Sequence, residues 1–145
     1  MTKPNWPDPH FEPRIRSSFA QQGLMQTIGA ALSKVAPGEV HIEMPFACGL
    51  TQQHGFIHAG IVTAIVDTAC GYAANSLMPP NSEVLTVEYK VNFLSPAKGE
   101  KFVAIGKAIK PGNTLTVCTG EVWAHDKGGK KLIAVIQATM MAVKG

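Results

Sequence analysis

The sequence predicts an α+β domain in which a curved antiparallel sheet of about six strands wraps around one long central helix. Three observations carry this. Residues 58–77 are apolar nearly all round and long enough for a helix. The chain beyond residue 82 reads as long alternating strands separated by turn signals. A sheet of that kind must bury one face, and the apolar helix is the only element able to cover it.

Taken in order, Pro4, Pro7, Pro9 and Pro13 make residues 1–13 a poorly helical arm. Arg14 to Gln22 suits a short helix anchored by Phe19 and ended by Gly23. Residues 31–36 and 39–46 read as two strands joined by Pro37-Gly38, with Val40, Ile42 and Met44 alternating against His41 and Glu43. Residues 47–57 have no period and read as a loop. The long helix follows and stops at Pro79-Pro80-Asn81. Residues 83–94 put Leu85, Val87, Tyr89, Val91 and Phe93 on one face and Thr86, Glu88, Lys90 and Asn92 on the other. Strands over 100–110, 114–125 and 131–143 complete a meander, with turns at Pro111-Gly112-Asn113 and Asp126-Lys127-Gly128-Gly129. Neither repeat nor linker interrupts the chain, so residues 1–145 form a single domain. A long helix wrapped by such a sheet is the hotdog arrangement.

Composition narrows the function. A hydrophobic fraction of 46% excludes disorder for most of the chain. Charged residues make up 16%, against ~25% in an average globular protein. Such a low charge density suggests a surface partly covered by further copies of the chain. The net charge of +3, without a Lys/Arg stripe, argues against nucleic acid and allows an anionic small ligand. The apolar stretch 57–78 is broken by His58, Asp67, Asn75 and Ser76, so no membrane association is expected. No apolar leader follows Met1, and Cys48, Cys70 and Cys118 are odd in number without a CxxC pattern. These features predict a cytoplasmic protein with reduced thiols.

Between Glu43 and Glu83 the only charged residue is Asp67, in the middle of the apolar helix. Burying an unpaired carboxylate is costly and raises its pKa, so the position calls for a use. The structural alternative is a contact with water or a hydroxyl such as Thr63 or Thr68. The second feature is the run His54-Gly55-Phe56-Ile57-His58-Ala59-Gly60 at the helix entrance. The first amides of a helix lack internal acceptors, and small residues let an oxygen approach them, as an oxyanion hole requires. A plain N-cap made by His58 explains the same residues. Gln52 and Gln53 are either solvated loop residues or amides that hold water or a carbonyl. His54 and His58 have no third ligand, so no metal is expected. Ser17, Ser18 and Ser95 lack a nucleophile elbow, and Cys70 reads as inert core.

The residues His58-Ala59-Gly60, then Val66-Asp67-Thr68-Ala69-Cys70-Gly71, resemble the HGG and (A/V)D…A signature of the PaaI-type hotdog thioesterases. Residues 86–97, ending Phe93-Leu94-Ser95-Pro96-Ala97, resemble the strand that follows in that family. The resemblance spans about residues 30–143. It implies an acyl-CoA thioesterase without metal or cofactor, acting on a small-to-medium acyl- or aroyl-CoA. It places the general base or nucleophile on Asp67, the carbonyl-polarising amides on Ala59 and Gly60, and the motif histidine on His58. Gln52 falls where an Asn positions water, and Thr86 matches a hydroxyl that completes the site. It also implies a homo-oligomer, a dimer or a dimer-of-dimers homotetramer, with Asp67 supplied by the partner subunit. Many members carry Lys or Arg near the CoA phosphates where this chain has Asn113, leaving Lys90, Lys98, Lys101 or Lys110 for that role. The alternatives are a hotdog enoyl-CoA hydratase or dehydratase, whose His-Phe-Pro-Gly loop is absent here, and a non-catalytic acyl-CoA-binding protein.

Overall fold

The computed structural model describes residues 8–145. Its elements are α1 (Phe11–Ala20), α2 (Gly23–Thr27), β1 (Ala31–Ala36), β2 (Glu39–Pro45), α3 (Ala59–Asn75), β3 (Ser82–Phe93), β4 (Lys101–Lys110), β5 (Leu115–Asp126) and β6 (Gly129–Lys144). The six strands form one antiparallel sheet in the order β1-β2-β4-β5-β6-β3, and α3 lies across its concave face. This is the hotdog fold.

The alternation read from the sequence is what builds the core. Val40, Ile42 and Met44 of β2, Phe102 and Ala104 of β4, Cys118 and Val122 of β5, and Ala134, Ala138 and Met140 of β6 all turn to the helix and are buried. Against them α3 packs Val62, Ile65, Val66, Ala69 and Cys70. Mid-sheet, Gly106 and Gly120 are register partners. A Cβ on Gly106 would fall 2.4 Å from the Ala69 carbonyl carbon, and one on Gly120 would fall 2.7 Å from Val66 Cγ2. The helix therefore seats on a notch that only glycine leaves open.

Three expectations are corrected. Residues 1–7 of the N-terminal arm lie outside the described residues, and the chain is already helical from Phe11. Pro13 falls in the first turn of α1, where its missing N–H costs nothing. Gly23 opens a second helix, α2, rather than simply ending the first; at five residues it is too short to show a period. A turn of 3₁₀-helix, Cys48–Leu50, interrupts the loop.

The most consequential correction lies in β3. Its register slips against β6, with Thr86 opposite Met140 but Glu88 opposite Thr139, so Val87 is an extra, bulged residue. Parity therefore reverses along the strand. Val84 and Thr86 face the helix before the bulge; Tyr89, Val91 and Phe93 face it afterwards. The single uninterrupted alternation expected from the sequence does not exist. β3 is also an edge strand, and Leu85, Val87, Tyr89 and Phe93 are exposed, Val87 at 55%.

The N-terminal helices dock on the far end of α3. Arg14 donates to the Asn75 side chain at 2.7 Å and to the Asn75 and Met78 carbonyls at 3.2 and 3.4 Å. It thereby caps the negative end of the helix with a positive charge, which buried Asp8 balances at 3.4 Å.

Candidate active site

Along α3, Gly60, Ile61, Ala64, Asp67 and Thr68 form a stripe that is only half-buried or exposed, while the rest of the helix beyond its first turn is enclosed. Asp67 sits on this stripe. Its Oδ1 accepts a hydrogen bond from Thr86 Oγ1 at 2.8 Å. Loss of solvent pushes the carboxyl above its ordinary value of 3.8, and the Thr86 hydroxyl partly opposes that rise. Of the hydroxyls expected near Asp67, Thr63 is engaged elsewhere, donating to the Ala59 carbonyl at 2.9 Å. The partner comes instead from β3, on the face that the bulge makes available.

At the other end of the stripe, residues 51–58 are folded tightly onto themselves. Gln52 Oε1 accepts from the His54 amide at 2.6 Å and the Phe56 amide at 3.3 Å. The side-chain carbonyl thus holds the turn, and its Nε2 is the end left to donate. Gly55 completes this turn at φ +84°, a conformation suited to glycine. The Ile57 and His58 amides donate to the Ala97 and Leu50 carbonyls at 3.1 and 2.9 Å, fixing the entry to α3.

His58 is the N-cap of α3, and its Nδ1 accepts from the Gly60 amide at 2.8 Å. This corrects the expectation of two free donors, because the Gly60 N–H is consumed by the cap. Among the described residues the Ala59 N–H has no acceptor. Ala59 lines a cavity of about 350 Å³ together with Gln52, Phe56, Val62, Phe93, Pro96 and Ile133 among others. Ser95, Pro96 and Ala97, just beyond β3, also form part of this wall, which their sequence did not indicate. The phase-shifted Phe93 was likewise not legible there.

Asp67 and Thr86 line a different and more polar cavity of about 270 Å³, with Ser18, Gln22 and Tyr72. The Tyr72 hydroxyl lies 3.0 Å from Ser18 Oγ and accepts from Gln22 Nε2 at 2.9 Å. The structure thus brings Gln52 together with Ala59, and Asp67 together with Thr86, but keeps the two pairs apart within one chain. Cys70 and Cys118 are buried donors to backbone carbonyls, and burial pushes the Cys118 thiol up to about 12, so neither is a nucleophile. Among the described residues no three His, Cys, Asp or Glu side chains converge as metal ligands, and no helix is long and apolar enough to cross a membrane.

Comparison with known proteins agrees with this architecture. The thioesterase superfamily model matches residues 54–130, the stretch holding His58, Asp67 and Thr86. A thioesterase family protein from Silicibacter pomeroyi superposes with a TM-score of 0.91 at 50% identity, covering 93% of this chain and 99% of that one. The PaaI protein of the E. coli phenylacetic acid degradation operon has the same fold, with a TM-score of 0.82 at 17% identity, covering 93% of this chain and 94% of that one. A protein of Saccharolobus solfataricus, provisionally named an esterase, is 31% identical over 90% of this chain and 84% of its own length. The chain belongs to the thioesterase superfamily. By that membership it is a hydrolase of thioester bonds.

Proposed function

We propose that this protein hydrolyses a small-to-medium acyl- or aroyl-CoA to the free acid and CoA, in a site shared by two copies of the chain. The observation that carries the reading is Asp67, the sole charge on α3, half-buried and oriented by Thr86. On this reading the thioester oxygen accepts from the Ala59 N–H, where the helix dipole favours developing negative charge. Asp67 takes a proton from water as that water attacks the carbonyl carbon. Collapse of the tetrahedral intermediate breaks the C–S bond and expels the CoA thiolate, a good leaving group that needs little help from an acid. Gln52 Nε2 donates to the water or the carbonyl, and His58 holds the amides in place.

Simple dimensions support the reading of a site built from two copies. Asp67 follows Ala59 by eight positions on one helix, about 12 Å along its axis at ~1.5 Å per residue. One carbonyl group cannot touch both. A second copy arranged about a two-fold axis supplies the missing partner, and the exposed apolar edge of β3 is the surface suited to pair with its own counterpart. Pairs of such dimers as a tetramer, and a cytoplasmic location, belong to the same proposal.

Thiol release over a panel of acyl- and aroyl-CoAs tests the activity. Asp67→Asn is expected to lower kcat by ~10²-fold or more with the fold intact. Activity within a few-fold of wild type would sink the assignment of Asp67. Loss of enoyl absorbance from crotonyl-CoA without thiol release would replace hydrolysis by hydration.

A further inference from the structure

Thr86 presents one hydrogen to two acceptors. Its Oγ1 lies 2.8 Å from Asp67 Oδ1 and 3.4 Å from the thioether sulfur of Met140. A hydroxyl carries a single hydrogen and a thioether accepts weakly, so in the ionised site that hydrogen goes to the carboxylate. Met140 belongs to β6 and is the register partner of Thr86 in β3. It is wholly buried, and among the described residues Thr86 is the one donor that reaches its sulfur. Ala134, Ile136 and Ala138, which precede it on the same face of β6, are plain hydrocarbon.

The reaction gives the second acceptor a use. While Asp67 is a carboxylate, Thr86 donates to Oδ1. Once Asp67 has taken a proton from the attacking water, a hydrogen on Oδ1 lies on the same 2.8 Å line, where two hydrogens cannot sit. Rotation of the Thr86 hydroxyl about its Cβ–Oγ1 bond turns its hydrogen to the sulfur and a lone pair to the acid. The chain then runs from the Asp67 O–H to Thr86 Oγ1, and from the Thr86 O–H to Met140 Sδ. When Asp67 passes its proton to solvent, the rotation reverses. No covalent bond of Thr86 or Met140 changes. We propose that Met140 is a positioning residue for the carboxylate: its sulfur holds the Thr86 hydrogen during the part of the cycle in which Asp67 is an acid. The inference rests on the reading of Asp67 as the base. An aliphatic side chain at position 140 leaves that hydrogen with no second acceptor, so the protonated carboxyl loses its bond to Thr86.

The other groups around Asp67 are Ser18, Gln22 and Glu83, with Thr68 and Tyr72 of its own helix. Glu83 is the one other carboxylate, and among the described residues no Lys, Arg or His lines this cavity. The Cys70 and Cys118 thiols behind the helix are kept neutral by burial. Among the described residues none of these groups bonds to the Met140 sulfur, so a change at 140 reaches Asp67 through Thr86.

The test follows the titration of the Asp67 carboxyl by carbon-13 NMR, beside the pH–rate profile. Met140→Leu conserves volume and should fold. Replacement of methionine by norleucine, which exchanges sulfur for a methylene, gives the same comparison if it does not. The single variant is expected to lower the Asp67 midpoint by about half a pH unit, because only the acid form loses a weak hydrogen bond. The acid limb of kcat/KM should move by the same amount in the same direction, with KM on the plateau unchanged. Thr86→Val removes the link, so Met140→Leu made in that background should move neither midpoint nor limb, whereas repacking alone would act in both. An unmoved or raised midpoint in the single variant, or an equal shift in both backgrounds, overturns the proposal. If the midpoint moves as expected but no thioester is cleaved, the control of Asp67 by Met140 stands and the hydrolase reading falls. If thioesters are cleaved while the midpoint stays, Met140 is only a core residue and the hydrolase reading stands.

Discussion

Asp67 destabilises the fold it serves. Its proton is held more tightly in the folded protein than in the unfolded chain, because burial raises its pKa above 3.8. Stability therefore falls as pH rises from that value through the folded pKa, and the cost is complete above it. Asp67→Asn removes the charge and keeps an oxygen for Thr86, so Tm at pH 7 should rise by a few degrees while activity is lost. A fall in Tm on thermal denaturation would show instead that the charge is fully compensated. The base must be ionised to act, so kcat/KM should decline as pH drops through the raised pKa. Thr86 stabilises the carboxylate, so Thr86→Val should move that acid limb to higher pH. The pH–rate profile decides, and an unmoved limb would make Thr86 a bystander. Asp67 itself was legible as the one charge in an apolar run. Its hydroxyl partner was legible only through the family resemblance, which pointed to Thr86; spacing alone pointed to Thr63 or Thr68, because Thr86 is 19 positions away and reaches Asp67 only through the tertiary fold.

At the level of elements, strong periodicity made α3 and all six strands legible to within a residue or two. Pro37-Gly38 and Pro79-Pro80-Asn81 marked the breaks because they cannot continue a regular element. What escaped is instructive. In β3 a bulge inserts one residue without disturbing the written apolar–polar alternation, since Leu85, Val87 and Tyr89 keep the same parity across it. Only the partner strand shows that Val87 is unpaired. The glycines at the sheet centre likewise look ordinary until the helix is laid on them. Gly106→Ala should cost more than ~3 kcal/mol or abolish soluble expression, because the new methyl meets helix backbone that cannot yield. Gly23→Ala, which meets nothing within 4 Å, is the control and should leave chemical denaturation unchanged or shift it toward stability. Equal behaviour of the two variants would remove the notch as a packing constraint.

For the whole molecule, the decisive experiment mixes two defects. His58 is the N-cap with φ −57° and ψ 137°, and Ala59 is the first helical residue, so proline fits at Ala59 without disturbing either. Ala59→Pro should fold and lose the donor, at a cost of ~10²–10³-fold in kcat. Co-refolded in equal amounts with Asp67→Asn, it forms mixed dimers in half of all pairings, each with one intact site. About a quarter of wild-type activity should return. If mass spectrometry confirms mixed dimers and no activity returns, the shared site is refuted. If Ala59→Pro alone stays active, the donor lies elsewhere.

The glycine notch has a mechanical consequence for that site. The helix touches down lowest where Ala69 and Cys70 meet Gly106, so this contact acts as a fulcrum. Ala59 lies about 15 Å from it and Asp67 only about 4 Å, at ~1.5 Å per residue. A tilt of about 5° would swing the Ala59 amide by roughly 1.3 Å and the Asp67 backbone by roughly 0.3 Å on those arms. Changes in bulk at Val62, out on the long arm, or at Phe93 of β3, which lines the same cavity, would therefore re-aim the oxygen-binding amide and reshape its cavity while the carboxylate stays nearly still. The pivot lets the grip on the substrate be retuned without moving the base.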